Sequence, residues 1–101
     1  MHAAVPARAA TEVADELDRI IRERLVLAVF QPLVDLRTGD IIGYEALARG
    51  PAGSPLESPA ALFHAAYACS RVAELDWICR ASAFRAAAAV LDPSLLLFVN
   101  C

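Results

Sequence analysis

Lysine is absent from this chain. All nine basic residues of the 101 are arginine, set against twelve acidic residues for a formal net charge of −3. A nonspecific nucleic-acid binder needs a surplus of positive charge to displace counterions, and none exists here. Cysteine is scarce and odd in number: Cys69, Cys79 and Cys101. No CxxC pair and no Cys/His cluster occurs, which argues against a disulfide framework and against a zinc site. The thiols read as the reduced, mostly buried cysteines of a cytoplasmic protein. Long apolar runs are missing too. The opening MHAAVPARAA has no stretch of about 7–15 apolar residues for a signal peptide. The region from Ala81 to Val99 is broken by Arg85, Asp92 and Pro93, short of the roughly 20 apolar residues of a membrane span. Gly50-Pro51-Ala52-Gly53 lacks the Lys-Ser/Thr of a phosphate loop, and no GxSxG elbow occurs.

What is present is apolar residues, 58 % of the chain, above the roughly 45–50 % of an ordinary soluble domain. With 21 % charged residues the chain is not a disordered tail.

The pattern predicts helix, hairpin, two helices, strand. Thr11 is a candidate N-cap for a helix over Glu12 to Arg24, with Val13, Leu17, Ile20, Ile21 and Leu25 in one stripe. Acids come early in it and arginines late, with Asp15–Arg19 and Asp18–Arg22 at i,i+4 spacing, an order that suits the helix dipole. Val26 to Leu36 reads as a strand, Arg37-Thr38-Gly39-Asp40 as a turn, and Ile41 to Leu47 as a second strand. So short a turn joins antiparallel neighbours. The stretch from Gly50 to Pro59 is a loop. Ser58 then caps a helix that has Pro59 at its first position and Leu62, Phe63, Ala66 and Tyr67 as its apolar face. A longer helix over Val72 to Leu91 turns Leu75, Ile78, Cys79, Ala83 and Ala86 inward and ends at Asp92-Pro93. Leu95 to Asn100 is a nearly continuous apolar strand of the kind covered on both faces in parallel sheets. Such a strand needs neighbours, so the sequence reads as a piece of a larger domain.

Two polar residues stand at informative places. Glu45, near the end of the second strand, shares a face with Ile41, Gly43 and Leu47. Asn100 ends the third strand on the face of Leu96 and Phe98. Both offer hard oxygen donors suited to Mg²⁺, Mn²⁺ or Ca²⁺; equally, they read as a strand-end glutamate and a turn asparagine. Arg49 is placed to fork onto a phosphate or to lie solvated in the loop. Gln31, before Pro32, is either an amide donor to a ligand or the end of regular pairing. His64, with no metal-ligand partner, reads as an ordinary helix histidine, and Tyr67 and Trp77 as packing residues.

These residues carry a family resemblance. Phe30-Gln31-Pro32-Leu33-Val34-Asp35-Leu36, followed by Gly39-Asp40-Ile41-Ile42-Gly43-Tyr44-Glu45-Ala46-Leu47-Ala48-Arg49, resembles the opening of the EAL domain. Leu75-Asp76-Trp77 and Phe98-Val99-Asn100 extend the match over about residues 24–101. The resemblance implies an α/β fold, the TIM-barrel-like (β/α)8 EAL fold with an antiparallel first strand, cut to its first three strands. It also implies a lead-in helix over residues 1–24 and an incomplete domain over 25–101, since the barrel takes roughly 200–250 residues or more. The implied activity is metal-dependent hydrolysis of cyclic di-GMP to pGpG in bacterial second-messenger signalling, with Mg²⁺ or Mn²⁺ as cofactor. Glu45 and Asn100 then correspond to metal ligands, Glu45 being catalytic, and Gln31, Leu47 and Arg49 to substrate contacts. A homodimer through the full domain is the implied assembly, with neither a nucleic-acid polymer nor a membrane segment as partner. The fragment alone is expected to be inactive. The alternative is a degenerate domain that binds cyclic di-GMP or a protein without cleavage. Two departures are visible: Leu62 to Tyr67 lacks the family's usual helix glutamate, and Ala48-Arg49-Gly50 stands where many members have Leu-Arg-Trp.

Overall fold

The computed structural model describes residues 7–99. Its elements run α1 (Ala7–Glu23), β1 (Leu27–Val34), β2 (Ile41–Arg49), α2 (Pro59–Ala68), α3 (Val72–Val90) and β3 (Leu96–Val99). The result is a mixed α/β unit with one three-stranded sheet in the order β1-β2-β3. As expected, β1 is antiparallel to β2, while β3 is parallel to it.

α1 begins earlier than expected. Thr11 lies inside the helix rather than at its cap, because Ala7, Ala9 and Ala10 are strong helix formers that carry it upstream. Leu17, Ile20 and Ile21 of the predicted stripe are buried, with Val13 and Leu25 packed at the margin. Arg19 donates from Nη2 and Nε to Glu16, at 3.1 and 3.3 Å, rather than to the predicted Asp15; Arg22 does reach Asp18, at 3.5 Å. The helix ends with Arg24 at φ 56°. The N–H of Leu25 donates to the Ile20 carbonyl and that of Arg24 to Ile21, which closes the last turn in the manner of a left-handed C-cap.

The hairpin turn is built as predicted. The Asp35 and Asp40 backbones bond across it at 2.8 Å, and Gly39 takes φ +78°. β1 stops at Val34, two residues short of the expected end. The register skips Ile42 there, a bulge that ends regular pairing and leaves Leu36 fully exposed.

Ser58 caps α2 as expected, its Oγ accepting from the Ala61 N–H at 3.1 Å, with Pro59 next. The buried face is Leu62, Ala65 and Ala66. Tyr67, predicted inward, is 79 % exposed: the face follows i, i+3, i+4 from Leu62, and the fifth residue falls off it. In α3, Leu75, Ile78, Cys79 and Ala83 are buried as predicted, joined by Ala87, whereas Ala86 is half-buried. Trp77, expected to pack, is 74 % exposed. It lies two residues from Leu75, on the opposite side of the helix.

One polar contact ties the helical layer to the sheet and another ties the helices together. Ser82 on α3 donates from Oγ to the Val26 carbonyl at 2.9 Å, fixing the entry to β1. Arg71, between α2 and α3, reaches Asp18 of α1 at 2.8 Å and Glu74 of α3 at 2.8 Å. These bonds hold both carboxyls below the usual carboxylate range and raise the guanidinium. Beneath them α3 lies on the alanine-rich face of the sheet, with Cys79 and Ala83 against Ala28, Ala46, Ala48 and Val99. On the far side of β2, Gly43 lies beside Leu96. A Cβ there would stand 2.5 Å from the Leu96 carbonyl oxygen.

Gly43→Ala therefore has to displace the backbone of β3. The expected loss is about 1–3 kcal/mol, read from the denaturant midpoint, with amide exchange fastest in β3. The lowered carboxyls set an acid limb. Their contribution is fully present above the ordinary carboxylate range of about 4 and is lost as pH falls through the lowered folded values. Arg71→Gln should flatten that limb in acid titrations of stability; an unchanged limb would remove the clasp from the account.

Candidate functional site

The β1–β2 register decides which polar side chains meet. Gln31 lies directly opposite Glu45, Val29 opposite Leu47, and Leu27 opposite Arg49. On the other side of β2, Phe98 pairs with Glu45. Cross-strand partners point to the same face, so Gln31, Glu45 and Phe98 form one row across the sheet. Alternation along β2 adds Leu47 and Arg49 to that face. It is the face turned away from α3.

This face is apolar and open. Leu27 is 63 % exposed, Val29 46 %, Leu96 57 % and Phe98 48 %. Glu45 is half-buried among them, and Gln31 is exposed. Glu45 sits in the middle of β2 rather than near its end, because the strand continues to Arg49. Arg49 is the last residue of the strand, not the head of the loop. Its Nη1 donates to the Ala48 carbonyl at 2.9 Å, which folds the guanidinium back on the strand end. The opposite face carries the edge-on pair Phe30 and Tyr44, ring centroids 6.5 Å apart.

Four of the five residues singled out in the sequence thus share one face: Gln31, Glu45, Leu47 and Arg49. The fifth, Asn100, lies outside the described residues, as does Cys101. Phe98, an apolar residue, completes this row beside Glu45; its sequence signal is the alternation of Leu96 and Phe98 in β3. His64 is exposed on α2, away from the sheet, and in a groove shared with Cys69, Val13 and Leu56.

Among the described residues no group of three His, Cys, Asp or Glu side chains converges to hold a metal. Glu45 is a single carboxylate, with the Gln31 amide across from it. A magnesium site takes one or two carboxylates and keeps several waters. The donor types, a carboxylate and an amide oxygen, are of the kind a hard divalent cation takes. Among the described residues, no helix is long and apolar enough to cross a membrane.

Comparison with solved structures finds a likeness of fold. The chain superposes on a structure of the PaMucR phosphodiesterase in complex with c-di-GMP with a TM-score of 0.68. The match covers 89 % of this chain at 20 % sequence identity. The likeness is one of fold, and it agrees with the resemblance of the motifs to the EAL domain. The chain spans 38 % of the length of that phosphodiesterase chain. No family model matches the sequence. No curated protein matches it either.

If the open face is kept for chemistry, its polar residues do little for the fold. Glu45→Gln and Gln31→Ala should change unfolding free energy by no more than about 0.5 kcal/mol. Ala46→Glu, one residue along and buried against α3, should prevent folding by placing a charge in the apolar layer. Circular dichroism melts of the three variants check the assignment of faces.

Proposed function

We propose that this chain is the first part of a (β/α)8 barrel of the EAL type, in a bacterial phosphodiesterase that hydrolyses cyclic di-GMP to pGpG. The observation that carries this reading is the register that sets Gln31 against Glu45, with Leu47 and Arg49 on the same open face. The fold likeness to a phosphodiesterase in complex with c-di-GMP supports it. The apolar surround of Leu27, Val29, Leu96 and Phe98 suits the interior of a barrel, whose packed strands fill one another's inner face.

Each residue then has a physical task. Glu45, with Asn100, would hold Mg²⁺ or Mn²⁺. When bound, the metal supplies charge neutralisation at the phosphodiester and a lowered pKa for its water. Gln31 presents an amide beside Glu45, able to donate to a phosphate or base oxygen and to accept from an N–H. Leu47 supplies an apolar contact one step along the strand. Arg49 at the strand end brings a permanent positive charge whose planar fork matches phosphate oxygens; to reach them it exchanges its bond to the Ala48 carbonyl. With the rest of the barrel in place, the surrounding apolar side chains would keep bulk water from this row and so strengthen its electrostatics. A cytoplasmic location is part of this reading, and the assembly would be a homodimer of the complete domain.

The test uses a polypeptide that carries this chain together with the rest of the barrel. Cyclic di-GMP should be converted to pGpG in Mg²⁺ or Mn²⁺, and Glu45→Ala should lower turnover by at least a thousandfold. Turnover unchanged in that variant would remove Glu45 from the chemistry. Binding of cyclic di-GMP without cleavage by the unaltered protein would establish the receptor reading instead. The 101-residue chain alone should give no pGpG.

A further inference from the structure

β2 passes into a short closed loop directly after Arg49. The N–H of Gly50 donates to the Glu57 carbonyl at 2.8 Å, which ties the two ends of the loop together. Inside it, the Ser54 N–H donates to the Pro51 carbonyl at 3.1 Å and the Glu57 N–H to the Ser54 carbonyl at 3.2 Å. The Leu56 N–H donates to Ser54 Oγ at 3.2 Å. Pro51 and Pro55 restrict the chain further. Leu56 then plugs the loop into the molecule, buried in the core with Leu17, Leu62 and Ala65. The loop is held both at its neck and by its returning end, so the Leu56 carbonyl is not free to swing away.

The neck of this loop accommodates only glycine. A Cβ on Gly50 would run into the Leu56 carbonyl oxygen and stand 2.9 Å from its carbonyl carbon. Both are backbone atoms, so no change of rotamer relieves the contact. Gly39 and Gly53 have positive φ, whereas Gly50 does not; space, not backbone freedom, requires glycine there. The peptide unit joining Arg49 to Gly50 is planar. Holding the Gly50 N–H on Glu57 therefore fixes the plane that contains the Arg49 carbonyl and Cα. On its other side Arg49 is held by pairing with Leu27. With the backbone fixed on both sides, the direction in which the Arg49 side chain leaves the strand end is fixed as well.

We infer that Gly50 is a positioning residue for Arg49: it lets the Leu56 carbonyl close over the strand end and so sets where the guanidinium can reach. The inference rests on the reading of the open face as the cyclic di-GMP site and goes further than it. The aim of Arg49 toward a phosphate is set from the opposite layer of the molecule, by a loop seated through Leu56 beside Val13 of α1 and Ala61 and Ala65 of α2. A guanidinium on a phosphate that persists from bound substrate to transition state contributes uniform binding, so its misplacement is read in KM and not in kcat.

A double-mutant cycle in the polypeptide that carries the whole barrel tests it. Gly50→Ala should raise KM for cyclic di-GMP about tenfold, as Arg49→Ala does, with kcat changed less than about twofold. In the Arg49→Ala background, Gly50→Ala should change nothing further. Ser54→Ala removes one bond inside the loop without crowding its neck, and it serves where Gly50→Ala does not fold. It should raise KM about threefold, again only while Arg49 is present. Where the protein binds cyclic di-GMP without cleaving it, the same cycle is read in Kd. The inference alone is overturned if Arg49→Ala raises KM while the loop variants, folded by circular dichroism, leave it unchanged. It is also overturned if they raise KM by the same factor without Arg49, which makes the loop merely structural. Arg49→Ala with unaltered KM removes Arg49 from substrate binding, and then the reading of the site fails first and the inference with it.

Discussion

β2 is paired on both sides, with β1 running against it and β3 alongside it. Its backbone hydrogen-bonding edges are both committed, one face lies on α3, and the remaining face carries the polar residues of interest. The tightest point is Gly43, where β3 comes close enough that even a methyl group meets the Leu96 carbonyl. With β2 held there, alternation dictates every other orientation along it. Ala46 and Ala48 turn to the helices; Glu45, Leu47 and Arg49 turn away. A slip of one residue would bury Glu45 under α3 and expose the alanines, so fold and candidate site stand or fall on the same register.

The helical layer protects that register from behind. Small residues line the sheet where α3 crosses it, which lets the helix lie close. Ser82 fixes the carbonyl just before β1, and Arg71 ties α1 to the α2–α3 corner. α1 contributes Leu17 and Ile20, both fully buried, each stabilising by about 1.5–3 kcal/mol. It is therefore part of the core of this unit and not only a lead into it. A displacement of α1 would act on β1 through the three-residue connection at 24–26, and β1 holds Gln31 opposite Glu45.

Much of this was legible in the residues, because strong local signals agreed with the packing. Ser58-Pro59 and the turn at Gly39 each have one mechanism and one outcome, and both formed as read. The antiparallel hairpin followed from the shortness of its turn. The placements that failed share a different cause. Tyr67 stands at the edge of an apolar helical face and Trp77 reads as a packing residue, yet position on the helix puts both outside. Thr11 was read as a cap because its side chain suits one, yet the alanines before it continue the helix. The site was legible only as separate polar residues in strands. That Gln31 faces Glu45, and that Phe98 flanks it, depends on register across strands, which the one-dimensional pattern of alternation does not contain.

The open face poses an energetic question of its own. Leu27, Val29, Leu96 and Phe98 leave an apolar surface in water with the carboxylate of Glu45 in its middle. Once such a face is covered, Glu45 loses hydration, and the burial of its charge has to be offset by a partner. A cation is the partner that the surroundings suit, with an amide across the strand and an arginine at the strand end able to meet further anionic groups. Placing a carboxylate in the centre of an apolar row is thus costly as structure and useful as chemistry. That asymmetry is the physical reason for seeking the function of this chain on the side of the sheet that its helices leave bare.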